Sequence, residues 1–175
     1  ALFVGLLLAF SLMHRQDMLM GDVNPRNIMV NQDCSVYFVD CDSYQFGGYE
    51  CPVGKPDYTP PEVHVRMRAE GITEYRYTRT EYNEVYSIAV LLFSILLPGK
   101  APYAARNAGY DDVVDAVIAG YFPYPYGGDE NTVVKGNMLA PAGVFRNIWS
   151  CMTFQMKTHF YETFTQTGAG RRNAQ

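Results

Sequence analysis

Gly21-Asp22-Val23-Asn24-Pro25-Arg26-Asn27, followed by Tyr37-Phe38-Val39-Asp40-Cys41-Asp42, is the stretch that decides how this chain is read. Asp40 stands thirteen positions after Asn27, at the end of a short apolar run. Asp22 and Asn27 place two oxygen-bearing side chains on one loop, and Asp40 adds a carboxylate after a strand. That set suits a hard cation such as Mg²⁺, which takes few protein oxygens and shares its shell with water and phosphates. Asn27 and Asp40 are then the candidate metal ligands. Asp22 is the carboxylate left to accept a proton from an attacking hydroxyl, so the chemistry implied is phosphoryl transfer. The alternative is that Asp22 and Asn27 only cap turns, as Asx residues do.

Outward from this core, Ile28-Met29-Val30 and Val36-Tyr37-Phe38-Val39 read as short strands around a polar turn, Asn31 to Ser35. The hairpin would hold Asn27 and Asp40 on one rigid support. Residues 1–17 read as a helix apolar around most of its circumference, as expected of one buried on several sides. Gly47 to Pro61 is a Pro/Gly-rich loop in which four prolines exclude regular helix. Glu84 to Leu97 is a second apolar helix, stopped by Pro98-Gly99. Asp111 to Ala119 has helical apolar spacing and ends at Gly120, and Pro141 to about Phe164 reads as one further helix, whole or interrupted. The fold class expected is α+β, mainly helical, with one small hairpin.

The chain has 175 residues, 48% of them hydrophobic, enough for one domain or a large subdomain with a core of its own. A net charge of −4 gives no basic footprint for nucleic acid. Cys34, Cys41, Cys51 and Cys151 form no C-x-x-C pair and the three histidines are scattered, which argues against a zinc site. Reduced thiols in a cytoplasmic protein are the default expectation. Ala1 to Met13 carries no charge, but it lacks a basic leader and a small-residue cleavage pattern and is too short to span a bilayer. The start inside an apparent helix, without Met, leads us to expect a piece of a longer protein.

These motifs resemble those of protein kinases. Asp22 to Asn27 reproduces the D-L-x-x-x-N catalytic loop with Val23 for Leu, and Asp40-Cys41-Asp42 occupies the place of D-F-G. Gly54-Lys55-Pro56-Asp57-Tyr58-Thr59-Pro60-Pro61-Glu62 looks like the G-T-P-E-Y-x-A-P-E block that closes an activation segment. The order and the separations are kinase-like. The wording is similar to a bacterial branch of kinase-like (Hanks-type) proteins, some of which carry helix-hairpin-helix modules. The resemblance covers nearly all of residues 1–175, but only the large C-terminal lobe of a kinase. It implies ATP and Mg²⁺ as cofactors, Asp22 as catalytic base, Asn27 and Asp40 as metal ligands, and protein serine/threonine as acceptor. The N-lobe, with its Gly-rich loop and strand lysine, is missing from this chain. The isolated chain is therefore expected to bind ATP weakly and transfer phosphate poorly or not at all. Partners implied are ATP, a protein substrate and that missing N-lobe, with no nucleic acid and no membrane.

The departures from the kinase pattern carry expectations too. Gly21 stands where the Arg of H-R-D is usual, so activation by loop phosphorylation at Tyr44, Tyr49 or Thr59 is not expected. Asn24 replaces the usual Lys at the transferring phosphate, and Lys55, where a Thr is usual, could return that charge from the facing loop. Lys55 could equally be a solvated loop lysine. Asp42 replaces Gly, either recruiting a second cation or capping a turn, and Cys41 is expected to pack. Glu84 replaces the Asp that anchors the catalytic loop, and its longer side chain could still reach. His14 reads as a core-facing or capping residue. Glu62 is expected to pair with Arg171, or with Arg172 beside it. Two alternatives to a protein kinase stay open: a pseudokinase acting as a nucleotide-binding or scaffold module, and a small-molecule kinase of the same fold.

Overall fold

The computed structural model describes residues 1–103, 110–124 and 143–165. Its organising element is the helix Glu81–Leu96 (α3), entered through a reciprocal cap in which Thr80 Oγ1 accepts from Asn83 N–H and Asn83 Oδ1 accepts from Thr80 N–H. This helix is apolar on two sides because it is buried on two sides. One side, with Tyr86, Val90, Phe93 and Leu97, packs on the helices Val113–Ala119 (α4), Val144–Cys151 (α5) and Phe154–Phe164 (α6). There the Phe93 ring meets Phe122, Tyr124, Phe160 and Phe164 edge-on at 5.1–5.9 Å. Each such pair adds about 0.5–1.5 kcal/mol to the area it buries. The other side, with Ile88 and Leu91, packs on Leu6 and Phe10 of the helix Leu2–His14 (α1) and on Met20 and Val23 of the candidate catalytic loop. The loop is thus part of the core.

The sheet is a single antiparallel hairpin, Ile28–Val30 (β1) with Val36–Phe38 (β2), in the register Ile28↔Phe38, Met29↔Tyr37, Val30↔Val36. Its turn closes on Asp33, whose Oδ1 accepts from the Ser35 amide and hydroxyl at 2.9 and 2.7 Å. The α+β, mainly helical class and the small hairpin agree with the sequence reading.

Three details differ from it, and one alternative left open is decided. α1 is not buried all round: Val4, Leu7, Leu8 and Leu12 are exposed, because α3 and the loop supply described neighbours on one side only. The helix Pro61–Glu70 (α2) was not expected, since its mixed residues show no apolar period. It starts with Pro61 at its first position and ends at Gly71, as helices do. The run to Phe164 is two helices, broken at Met152-Thr153, where Thr153 Oγ1 accepts from the Met156 amide. Cys41 does not pack; it is exposed, because Asp40 turns the chain outward in the left-handed region (φ 66°, ψ 54°).

Candidate functional site

Asn24 builds the loop around Asp22. Its Oδ1 accepts from Arg26 N–H at 3.0 Å, capping the short helical turn Pro25–Asn27. Its Nδ2 donates to Asp22 O (2.9 Å) and Asp22 Oδ2 (3.0 Å). Asn27 Nδ2 donates to the same two oxygens, at 3.0 and 3.2 Å. Both asparagines are buried and Asp22 is half-buried. Two neutral amides thus fix one face of the carboxylate without neutralising it.

Asn27 and Asp40 both stand at one end of the hairpin. The Val39 amide donates to Asn27 O at 2.9 Å, extending the β1–β2 pairing by one step, so the two candidates leave the same end of the sheet. Left-handed backbone at a non-glycine residue is uncommon and clusters at functional sites, although Asp tolerates it better than most. Asp40 is exposed, and Asp42 and Asp22 lie close enough to act on it. A hydrogen bond with Asp42, then the Asp42 charge, some burial and the Asp22 charge push its carboxyl above the ordinary range. Asp42 sits in the short helical turn Cys41–Ser43 that follows.

The loop is anchored from below by Glu84, which is 1% exposed. Its Oε1 accepts from Gly21 N–H at 2.8 Å and its Oε2 meets His14 Nε2 at 2.6 Å. The longer side chain does reach the loop, and it gives His14 its partner. Gly21 has φ +76°, and a Cβ there would lie 2.5 Å from Cys51 Sγ and 2.9 Å from Ser43 O. Only glycine fits.

The hydrogen bond to Glu84 raises the His14 pKa, against burial and with help from the Glu84 and Glu81 charges. A base whose folded pKa is raised stabilises the fold fully below its unfolded pKa, and that contribution is lost as pH rises through the folded value. Stability should therefore decline through this pair as pH rises above about 6.5, the ordinary histidine value, histidine being the group that titrates there. Denaturant midpoints across that range should fall for the wild type and flatten for His14→Gln.

Lys55 is half-buried, and its carbonyl accepts from Thr59 Oγ1 and Tyr58 N–H at the turn Pro56–Tyr58. Among the described interactions, none joins its ammonium to Asp22, Asn27 or Asp40. Glu62 accepts from Asn83 Nδ2 at 3.3 Å. Its expected partners Arg171 and Arg172 lie outside the described residues. Of the three proposed hydroxyls, Thr59 is buried, Tyr44 is half-buried with its pKa pushed up to about 12 by burial first of all, and Tyr49 is 72% exposed. The residue that sequence reasoning missed is Arg79, one of two arginines, with Arg76, among tyrosines and threonines. It is 6% exposed and wired into the loop that follows the site.

With this geometry in view, comparison with known proteins is informative. The chain is 28% identical over 171 residues to "Protein kinase YegI" of Escherichia coli strain K12, covering 91% of this chain and 24% of that protein. The likeness is to protein kinases. The same protein of Escherichia coli O157:H7 is 27% identical over 168 residues, with the same coverage. A Dictyostelium discoideum protein named "Probable serine/threonine-protein kinase irlE" is 27% identical over 112 residues, covering 60% of this chain and 8% of its own length. No family model matches the chain. These similarities support a kinase-like relationship at low identity. The chain spans about a quarter of the length of the first two relatives. No helix among the described residues is long and apolar enough to cross a membrane.

Proposed function

We propose that this chain is the C-terminal lobe of a kinase-like enzyme that transfers phosphate from ATP to protein serine or threonine, its complementary lobe lying elsewhere in a longer polypeptide. One observation supports the reading: the hairpin pairs the Asn27 backbone with Val39, the residue before Asp40, while Asn27 also donates to the Asp22 carboxylate. Protein acceptors are favoured by the block Gly54 to Glu62 and by the names of the relatives. A divided domain fits the quarter-length coverage.

Among the described residues, no three His, Cys, Asp or Glu side chains gather closely enough to hold a metal alone. A site of Asn27 and Asp40 oxygens completed by phosphate and water is what Mg²⁺ favours. The crowding of Asp40 by Asp42 and Asp22 is like-charge repulsion that a divalent cation would relieve. When bound, Mg²⁺ would neutralise charge on the transferring phosphate. Asp22 takes the proton as the acceptor oxygen bonds to phosphorus and the bond to ADP breaks. Asn24 contributes by aiming Asp22. Lys55 is kept as the candidate cation of the facing loop.

Asp40→Asn tests the metal site apart from activity. Asn also tolerates left-handed backbone. An acid with a raised folded pKa holds its proton more tightly folded than unfolded, so its ionisation at neutral pH weakens the fold. Without metal, Asp40→Asn should therefore melt at or slightly above the wild-type temperature. Millimolar Mg²⁺ with ATP should raise the wild-type melting temperature by a few degrees and leave the variant unmoved. Radiolabelled ATP with the complete protein should label a protein acceptor in the wild type only. Equal Mg²⁺ shifts in both proteins would sink the assignment. A second reading, nucleotide binding without transfer, is favoured by Asn24 being turned inward where kinases carry a Lys. A wild type that shifts with Mg²⁺ and ATP but never transfers label would select it.

A further inference from the structure

Arg79 lies just before α3, and its guanidinium is spent on the main chain. Nη1 donates to Cys51 O (3.1 Å) and Tyr77 O (3.4 Å), and Nη2 to Val53 O (2.5 Å) and Tyr75 O (3.2 Å). The Tyr77 ring lies beneath it, 4.2 Å from the guanidinium carbon to the ring centre. A planar group with five donors suits this pattern, and a lysine could not satisfy it. The main chain of the same residue is held as well. Arg79 N–H donates to Gln45 Oε1 at 2.7 Å, and Gln45 Nε2 donates to Arg79 O at 2.8 Å.

Gln45 carries the connection into the site. Its own amide and carbonyl pair both ways with Leu19 at 2.9 Å, two residues before Gly21. Cys51, held by Arg79, packs directly over Gly21 with no exposure at all. The segment from Gln45 to Val53 is therefore closed over the Asp22 loop at both ends by one residue. None of these bonds involves a phosphate or an exposed hydroxyl.

We propose that Arg79 is a positioning residue that holds residues 45–53 closed permanently, so that the segment following the candidate metal ligand needs no modification to become ordered. The closure stands on the geometry alone; its consequence for transfer rests on the phosphotransfer reading above. Arg79 touches no reacting atom and acts through Gln45, Cys51 and Gly21.

The readout is the Cys51 thiol. Burial pushes its pKa up, and its Sγ is closed off, donating to Val53 O at 3.0 Å. Alkylation by iodoacetamide, followed peptide by peptide in the complete protein, should leave Cys51 unmodified in the wild type while exposed Cys41 and Cys151 react. Arg79→Ala should speed Cys51 modification by about tenfold or more, the sign of local opening rather than global unfolding. Trp149 fluorescence, which reports the core on the far side of α3, should still show cooperative unfolding. If Arg79→Ala does not fold, Arg79→Lys decides. It keeps charge and bulk but not the four directed bonds, and Cys51 should react faster there too.

Wild-type protection of Cys51 in a folded Arg79 variant overturns the proposal. So does Tyr49→Glu if it raises transfer severalfold, because a permanently closed segment leaves nothing to switch. If the wild type transfers no phosphate, the phosphotransfer reading fails while the thiol result still judges the closure.

Discussion

Asp22→Asn should lower phosphotransfer by about 10²- to 10⁴-fold, the usual contribution of a positioned general base, with little change in the fold or in the KM for ATP. The hydrogen bonds explain why this substitution separates chemistry from stability. Asn24 and Asn27 both donate to Oδ2, and among the described hydrogen bonds none engages Oδ1. The amide oxygen of an asparagine can take the place of Oδ2 and keep both donors satisfied. Its NH₂ then stands where Oδ1 was, offering a donor at the point where a proton must be accepted. The comparison should be made as kcat and KM of the complete protein, with circular dichroism to establish that the fold is unchanged. Residual transfer above a tenth of wild type would remove Asp22 from the chemistry and leave it as a turn residue.

Glu84→Ala should be the most damaging single substitution to the fold. Glu84 is 1% exposed and answers two groups at once, the Gly21 amide and the His14 ring. Removing one partner of a buried pair costs about 3–5 kcal/mol, because the remaining polar groups stay buried without it. That is a large part of the 5–15 kcal/mol (roughly) that holds an ordinary domain together. Glu84→Gln keeps an acceptor for Gly21 and should cost less, about 1–3 kcal/mol, the range for a damaged buried hydrogen bond. The double variant His14→Phe with Glu84→Gln should recover part of the loss seen in His14→Phe alone, since no buried carboxylate then lacks its partner. Equilibrium urea unfolding measures all four. A loss under 1 kcal/mol for Glu84→Ala would mean that the loop holds itself.

The parts of this site that could be read from the chain are those whose partners lie close in sequence. Asp22, Asn24 and Asn27 sit within six residues, and Pro25 forces the turn that lets their side chains meet. Asp40 could be placed because a two-stranded hairpin is the shortest way back to Asn27. α3 was legible from its apolar run and its Pro-Gly stop. What could not be read depends on distant pairing. α2 is held by Val63, His64 and Met67 scattered among charged residues, so its buried face has no simple period. His64 is fixed by its Nε2–H donating to Pro56 O, 3.0 Å away, a contact that depends on the loop path. Arg79 binds main-chain carbonyls, which every residue possesses, so nothing in the letters of its partners marks them out. Cys41 was misjudged because the D-F-G likeness suggested a packed middle residue, whereas the turn at Asp40 directs it to solvent.

The tight seat of Gly21 under Cys51 also bears on how such a chain could change over generations. An arginine at position 21 would need relief from the Cys51 side chain, from the Ser43 carbonyl and from a backbone angle that disfavours any side chain. No single codon change supplies all three, and the first step alone would damage the loop. The seat thus stands between this loop and the one-step gain of an arginine-dependent switch, and a change at position 51 alone would not remove the Ser43 carbonyl or the positive φ.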